Sequence, residues 1–432
     1  MLALRKLLNL SSIVALLAGG PGVFAQTPDQ AEPEPEPESR VALGLDVNST
    51  NDMHDDTTLL RDVATLEDKT GLVFFDALRI WVGGAVQYDY YNFDGIYNHA
   101  GEGERREGGS MRRLEGILRS SLYDWGEIKA QYDFDAGIFR DLYLRWVSKK
   151  QHTPLTVTVG NQKEPMGLDR LIGNKFGIAQ ERSAPSHAFG SWSSLGVLLH
   201  KAFQVEGADR PLDIFDDEAS FITTSVGLFT QDIEDTHDTD WAVTGRVTAG
   251  RERDGVGMHA GLSVSYREGE FNRVSFRPEV QQADRMTLAR PQANTQGIVG
   301  LESAYNRGPF HLQAEAYYSQ YRGKIDGYGG GGYLLAGWFI TGESRGYNPR
   351  WGILAPHSPA GQVSAEMFAR VSHTRGDDDI NGWNDYLSVT LGGNLWYRKF
   401  RGSINLVYGE SRDPIGTEDD GLAVNVRAQY LF

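Results

Sequence analysis

Between residues 163 and 193 the chain gathers four cations, Lys163, Arg170, Lys175 and Arg182, against Glu164, Asp169 and Glu181. Lysines and arginines collected in one connection can hold an oxyanion through charge-assisted hydrogen bonds, the guanidinium fork matching two phosphate oxygens at once. Several modest sites of this kind suit passage better than one tight site, because a solute that binds must also leave. The plainer reading is that these charges pair with one another and only keep the segment folded. A second set, Arg113, Arg119, Lys129, Arg145, Arg246, Arg267, Arg370, Arg401 and Arg427, shares one phase of alternating segments with Glu115, Glu127, Asp133, Asp135, Asp141, Glu302, Glu315 and Glu366. Nine cations against eight anions is near balance. A non-selective or cation-preferring channel therefore stays open beside an anion-selective one.

Other chemistries find little support. The chain has no Cys, which removes disulfides, thiol nucleophiles and thiolate metal sites. Its ten His are scattered without ligand spacing, and no nucleophile elbow, zinc-protease pair, Walker loop or dinucleotide fingerprint occurs. No enzyme activity, cofactor or metal is expected. Gly329–Gly332 reads as a flexible turn ahead of a strand, since neither a helix nor a Lys follows it as a phosphate cradle requires.

The elements that must carry these residues are strands. Gly126, Ile128, Ala130, Tyr132 and Phe134 alternate with Glu127, Lys129, Gln131, Asp133 and Asp135. At the end of the chain Leu422, Val424, Val426, Ala428, Tyr430 and Phe432 oppose Ala423, Asn425, Arg427 and Gln429. Period two over such lengths gives a strand one apolar and one polar face. About sixteen such segments follow Leu78, most near the ~10 residues a tilted strand needs to cross a bilayer. Stacking so many charged faces in a dry sandwich would be costly, whereas a closed cylinder puts lipid outside, water inside, and pairs every backbone group. The fold class expected is all-β, a transmembrane antiparallel β-barrel of about sixteen strands. Tyr88, Tyr90, Tyr91, Trp125, Trp146, Trp241, Tyr397, Phe400, Tyr408, Tyr430 and Phe432 are candidates for its interfacial girdles. Residues 342–361 are long for a connection on the short-turn side, a misfit that leaves open whether a strand is misplaced.

The segments before the barrel read differently. Residues 1–25 form a signal peptide: Arg5 and Lys6, an apolar run from Leu7 to Leu17, and Val23-Phe24-Ala25 before the cleavage point. Its loss removes two positive charges and takes the net charge from −16 to −18, which disfavours nucleic acid as a partner. Residues 26–39 alternate Pro and Glu and read as a linker, and residues 40–77 have uncertain structure. The barrel domain is assigned to 78–432.

The series Asn161-Gln162-Lys163-Glu164-Pro165-Met166-Gly167-Leu168, then Glu181-Arg182-Ser183-Ala184-Pro185-Ser186, then Leu195-Gly196-Val197, resembles the phosphate-selective porins O and P. Tyr132-Asp133-Phe134, Asn394-Leu395-Trp396-Tyr397 and Arg427-Ala428-Gln429 match as well, so the likeness spans roughly residues 78–432. It implies a trimeric outer-membrane channel of a Gram-negative bacterium, set among lipid and lipopolysaccharide. Its third long loop, 163–193, would fold into the lumen, and basic side chains would guide small anions such as phosphate or polyphosphate. By the same resemblance Arg112, Arg113 and Lys163 are channel cations, with Asp133 an acidic partner. A closed, receptor-like or structural barrel is the remaining alternative.

Overall fold

The computed structural model describes residues 71–74, 78–101, 103–123, 125–148, 155–206, 220–234, 239–253, 255–355, 357 and 363–432. The expected signal peptide and linker lie outside the described residues, and of segment 40–77 only Gly71–Phe74 is described.

Sixteen strands form the barrel wall. They are β1 (Leu78–Phe93), β2 (Arg106–Leu122), β3 (Gly126–Asp133), β4 (Ile138–Val147), β5 (Leu155–Lys163), β6 (Ser193–Glu206), β7 (Ser220–Phe229) and β8 (Thr239–Arg253). The wall continues with β9 (Val256–Phe271), β10 (Gln292–Arg307), β11 (Phe310–Ile325), β12 (Gly327–Phe339), β13 (Val363–Asp378), β14 (Gly382–Tyr397), β15 (Phe400–Arg412) and β16 (Glu418–Leu431). Each pairs antiparallel with its sequence neighbours, and β16 returns to β1 in the register Ala85↔Leu431 to Phe93↔Ala423. Gly71–Phe74 continues that edge of β1 where β16 ends, and Phe432 closes the seam by exchanging backbone bonds with Gly84 at 2.9 and 3.1 Å. Closure leaves no sheet edge to be satisfied by lipid.

The alternation has the polarity of a membrane barrel. Arg246, Glu302 and Arg427 are 4%, 5% and 3% exposed, whereas Leu301 and Leu334 are both 56% exposed. Charge inside and aliphatics outside is the inverse of a soluble domain. Outward aromatics gather at strand ends: Trp241 beside Tyr266, Phe310 stacked on Trp338, and Phe400 against Tyr430. Tight turns at the periplasmic end, Tyr123, Gly308 and Arg398 among their residues, take positive φ.

Three expectations need correction. Among the described residues of 342–361 the strand segments are the two-residue pairs Tyr347–Asn348 and Ile353–Leu354, which bond each other and not the wall. The described residues 340–355 of the connection between β12 and β13 fold into the lumen, where Arg345 donates to Glu366 at 2.7 Å and the Arg350 carbonyl bonds the His200 ring at 2.6 Å. Its Trp351 ring stacks on His200 at 4.5 Å, and Tyr347 meets His259 at 2.9 Å. Gly329–Gly332 is strand, not turn, within β12. A Cβ on Gly329 would stand 2.7 Å from the Phe189 ring, so the bare backbone makes room for a loop pressed on the wall. Asp135 lies in the exposed turn after β3, which stops at Asp133, and does not face the lumen.

The apolar core sits inside the upper barrel. Phe93, Ile96 and Tyr97 beside the first loop, Met166 and Phe189 of the third, and Val274, Phe276, Val280 and Leu288 of the fifth cluster against Tyr317, Tyr321 and Tyr386.

A cation-rich eyelet as the candidate functional site

The connection between β5 and β6 carries two short helices, α1 (Leu168–Ile172) and α2 (Ala184–Phe189). The Ser183 side chain caps α2 by accepting from Ser186 N, and Pro in the first turn loses no needed donor. Between the helices the chain crosses the lumen. Gln180 donates to the Ser403 and Asn425 carbonyls at 3.0 and 3.2 Å. Arg401 donates to the carbonyls of Gly177 and Ile178 at 2.7 and 2.9 Å, and Arg427 to that of Gln180 at 2.7 Å. On the other side Glu315 accepts the backbone N–H groups of Leu168 and Asp169. The loop is thus tied to wall strands on both sides, and it narrows the lumen against β2 to β5.

Two β-bulges arm that wall. Gln87 pairs with Arg113 and Tyr88 with Met111, leaving Arg112 as the extra residue; Gln131 pairs with Asp141 and Tyr132 with Phe139, leaving Arg140 extra. A bulge breaks the inside-outside alternation and re-aims a side chain. Arg112 and Arg113 are consequently both buried on the lumen side. Arg112 forks onto Glu181 of the loop at 2.9 and 3.0 Å, Arg113 bonds Glu115, and Arg140 reaches Asp133 at 2.8 Å.

Lys129 pairs with Asp141 at 2.8 Å and Lys175 with Glu115 at 3.3 Å. Lys163 and Arg182 are held differently: Lys163 Nζ donates to the Leu171 carbonyl at 2.9 Å and Arg182 Nε to the Asp169 carbonyl at 3.3 Å. A carbonyl fixes a cation without neutralising it, so positive charge remains in excess here. Burial, followed by the charges of Arg170 and Arg113, pushes the Arg182 guanidinium below its ordinary range. Burial opposes the Glu181 charge, yet Arg112 and Arg427 hold its carboxyl well below the usual carboxylate range.

The structure brings Arg112, Arg113, Lys129, Asp133, Lys163, Lys175 and Arg182 to this eyelet or its immediate wall. Arg119 belongs to a lower group, with Glu127 3.5 Å away. Arg170 lies over the Trp192 ring at 4.4 Å and donates to the carbonyls of Ser186 and His187, holding the loop's return limb. Arg140 was missed by strand phase. Its signal was the charged doublet Arg140-Asp141, which, like Arg112-Arg113, interrupts strict alternation.

Comparison with known proteins agrees with the barrel fold. The family described as "Phosphate-selective porin O and P" matches residues 80–432. Porin O of Pseudomonas aeruginosa is 23% identical over 404 residues, covering 81% of this chain and 88% of that protein. An uncharacterized protein of Caulobacter vibrioides is 28% identical over 293 residues, 63% of this chain and 58% of its own length. Among solved structures, the anion-selective porin from Comamonas acidovorans superposes with a TM-score of 0.50 at 13% identity, over 82% of this chain and 100% of that one. OmpT of Vibrio cholerae, an outer-membrane protein, gives 0.51 at 9% identity over 83% and 99%. A closed sixteen-stranded barrel with lipid outside and charges within is an outer-membrane channel, and this chain belongs to the phosphate-selective porin O and P family.

Proposed function

We propose that the protein is a passive diffusion channel for small inorganic anions, phosphate foremost, working as a homotrimer in outer-membrane lipid with lipopolysaccharide at its outer rim. One observation carries the reading: at the eyelet Lys163 and Arg182 are held by carbonyls rather than by carboxylates. An oxyanion arriving there exchanges water for charge-assisted donors and relieves like-charge repulsion, and the adjacent Arg112, Arg113 and Lys175 offer successive weak partners. The wall below is nearly balanced in charge, so selection belongs to the loop and the bulges. The relative named an anion-selective porin and the family's own description point the same way.

Planar bilayers holding the purified protein under a KCl gradient test this. Reversal potentials biased to chloride, with conductance falling as phosphate is added, are the expected result. Cation-biased potentials without phosphate block overturn the selectivity and leave the non-selective or cation-preferring reading. A second reading, a closed barrel, is favoured by the inward fold of residues 340–355 and by the apolar cluster in the upper lumen; absence of any conductance step from folded trimers would establish it.

A further inference from the structure

Glu279 lies in the connection between β9 and β10, the fifth loop at the outer end, remote in sequence from the eyelet. Its backbone takes φ +63°, a left-handed conformation that a non-glycine residue adopts at a cost. The side chain is 1% exposed and spends its carboxylate entirely on partners inside the lumen. It accepts from the Ala184 backbone N–H at 2.9 Å, from Arg370 Nη2 at 2.8 Å, from Thr390 Oγ1 at 3.1 Å and from the Ser372 hydroxyl. Arg370 in turn donates Nη1 to the Glu181 backbone carbonyl at 3.0 Å. The stretch Glu181–Ala184 is therefore gripped at both ends by one ion pair. Between the grips stand Arg182, an eyelet cation, and Ser183, the cap of α2.

We infer that Glu279 is a positioning residue for anion selection: with Arg370 it clamps Glu181–Ala184 so that Arg182 and the Glu181–Arg112 fork stand where a passing anion meets them. The fifth loop thereby sets the geometry of the third, and Glu279 touches no solute. This rests on the reading above, and its sign separates it from a field effect. Removing a negative charge beside the pore would, through the field alone, strengthen anion binding; loosening the clamp weakens it.

Two variants test the clamp in bilayers. Ala184→Pro deletes the N–H that Glu279 accepts and adds a ring at a buried helix start, where Ser183 already has the extended ψ that a following Pro requires, and it changes no charge. Glu279→Gln removes the charge. The half-blocking phosphate concentration is expected to rise in both by about threefold or more, a usual scale for residues acting through others. An unchanged value in A184P, or tighter block in E279Q, overturns the inference. Should phosphate not block the unaltered channel, the functional reading fails by itself. The clamp is then judged by the chloride-to-potassium permeability ratio, which must fall in A184P for the inference to stand.

Discussion

Arg112 and Glu181, 69 positions apart in sequence, meet as a two-pronged ion pair with contacts of 2.9 and 3.0 Å. The pair joins a bulge in the barrel wall to the loop that narrows the lumen, and Arg427 adds a third contact to the same carboxylate at 2.6 Å. The eyelet's shape therefore depends on groups that also provide its charge.

Arg112→Ala leaves Glu181 with Arg427 and the Asn174 amide and removes one eyelet cation. Half-block by phosphate is expected to need about tenfold more anion, the usual scale for one charged hydrogen bond. Arg112→Lys should recover only part of this, since an ammonium cannot fork onto a carboxylate. Titrating phosphate against single-channel conductance checks both.

Lys163→Gln should move the reversal potential toward that of potassium, and Lys163→Gln with Arg182→Gln further still, because among the described residues neither charge has a carboxylate partner at ion-pair distance. Arg246→Gln offers the contrast. That residue is paired with Glu302 at 2.5 Å in the lower lumen, and its loss should destabilise the barrel more than it alters selectivity. Reversal potentials and the temperature at which the barrel unfolds in detergent separate the two effects.

Replacing residues 345–354 with a Gly/Ser stretch of equal length removes Arg345, Tyr347, Arg350 and Trp351 from the lower lumen. If that connection restricts flow, conductance in KCl should rise by about twofold or more, since flow follows the pore's free section. Equal conductance would show that the restriction lies elsewhere.

The Glu181 carboxyl has a depressed pKa in the folded protein, so its ion pairs contribute fully above the ordinary glutamate value of 4.5 and are lost only as pH falls toward the lower, folded value. Phosphate block should therefore keep its loop-dependent component from neutral pH down to about 4.5, apart from the titration of phosphate itself. Glu181→Gln should lack that component throughout. Conductance recorded across this range decides it.

The wall was readable because period two is local: each residue declares its face through its neighbours. Arg246, Arg267, Arg370 and Arg427 fall on the lumen side as the alternation requires, and all four are buried there. Arg112 and Arg140 are the exceptions, since a bulge flips the phase and shows in sequence only as an odd charged doublet. The third loop's cations were visible as a cluster, but nothing in their order tells that Arg170 turns back onto the Trp192 ring and the carbonyls of the return limb while Arg182 stays at the eyelet on the Asp169 carbonyl.

What the chain decides alone is thus the closed cylinder, its inverted polarity and its family, because alternation and a distinctive motif series are properties of consecutive residues. Where the loops go was decided only by the folded molecule. The entry of residues 340–355 into the lumen, the reach of Glu279 to Ala184, and the sorting of cations into neutralised and uncompensated all depend on partners far apart in sequence. Such contacts are set by which lumen-facing donors and acceptors remain unsatisfied once the wall has closed, and no local pattern records that.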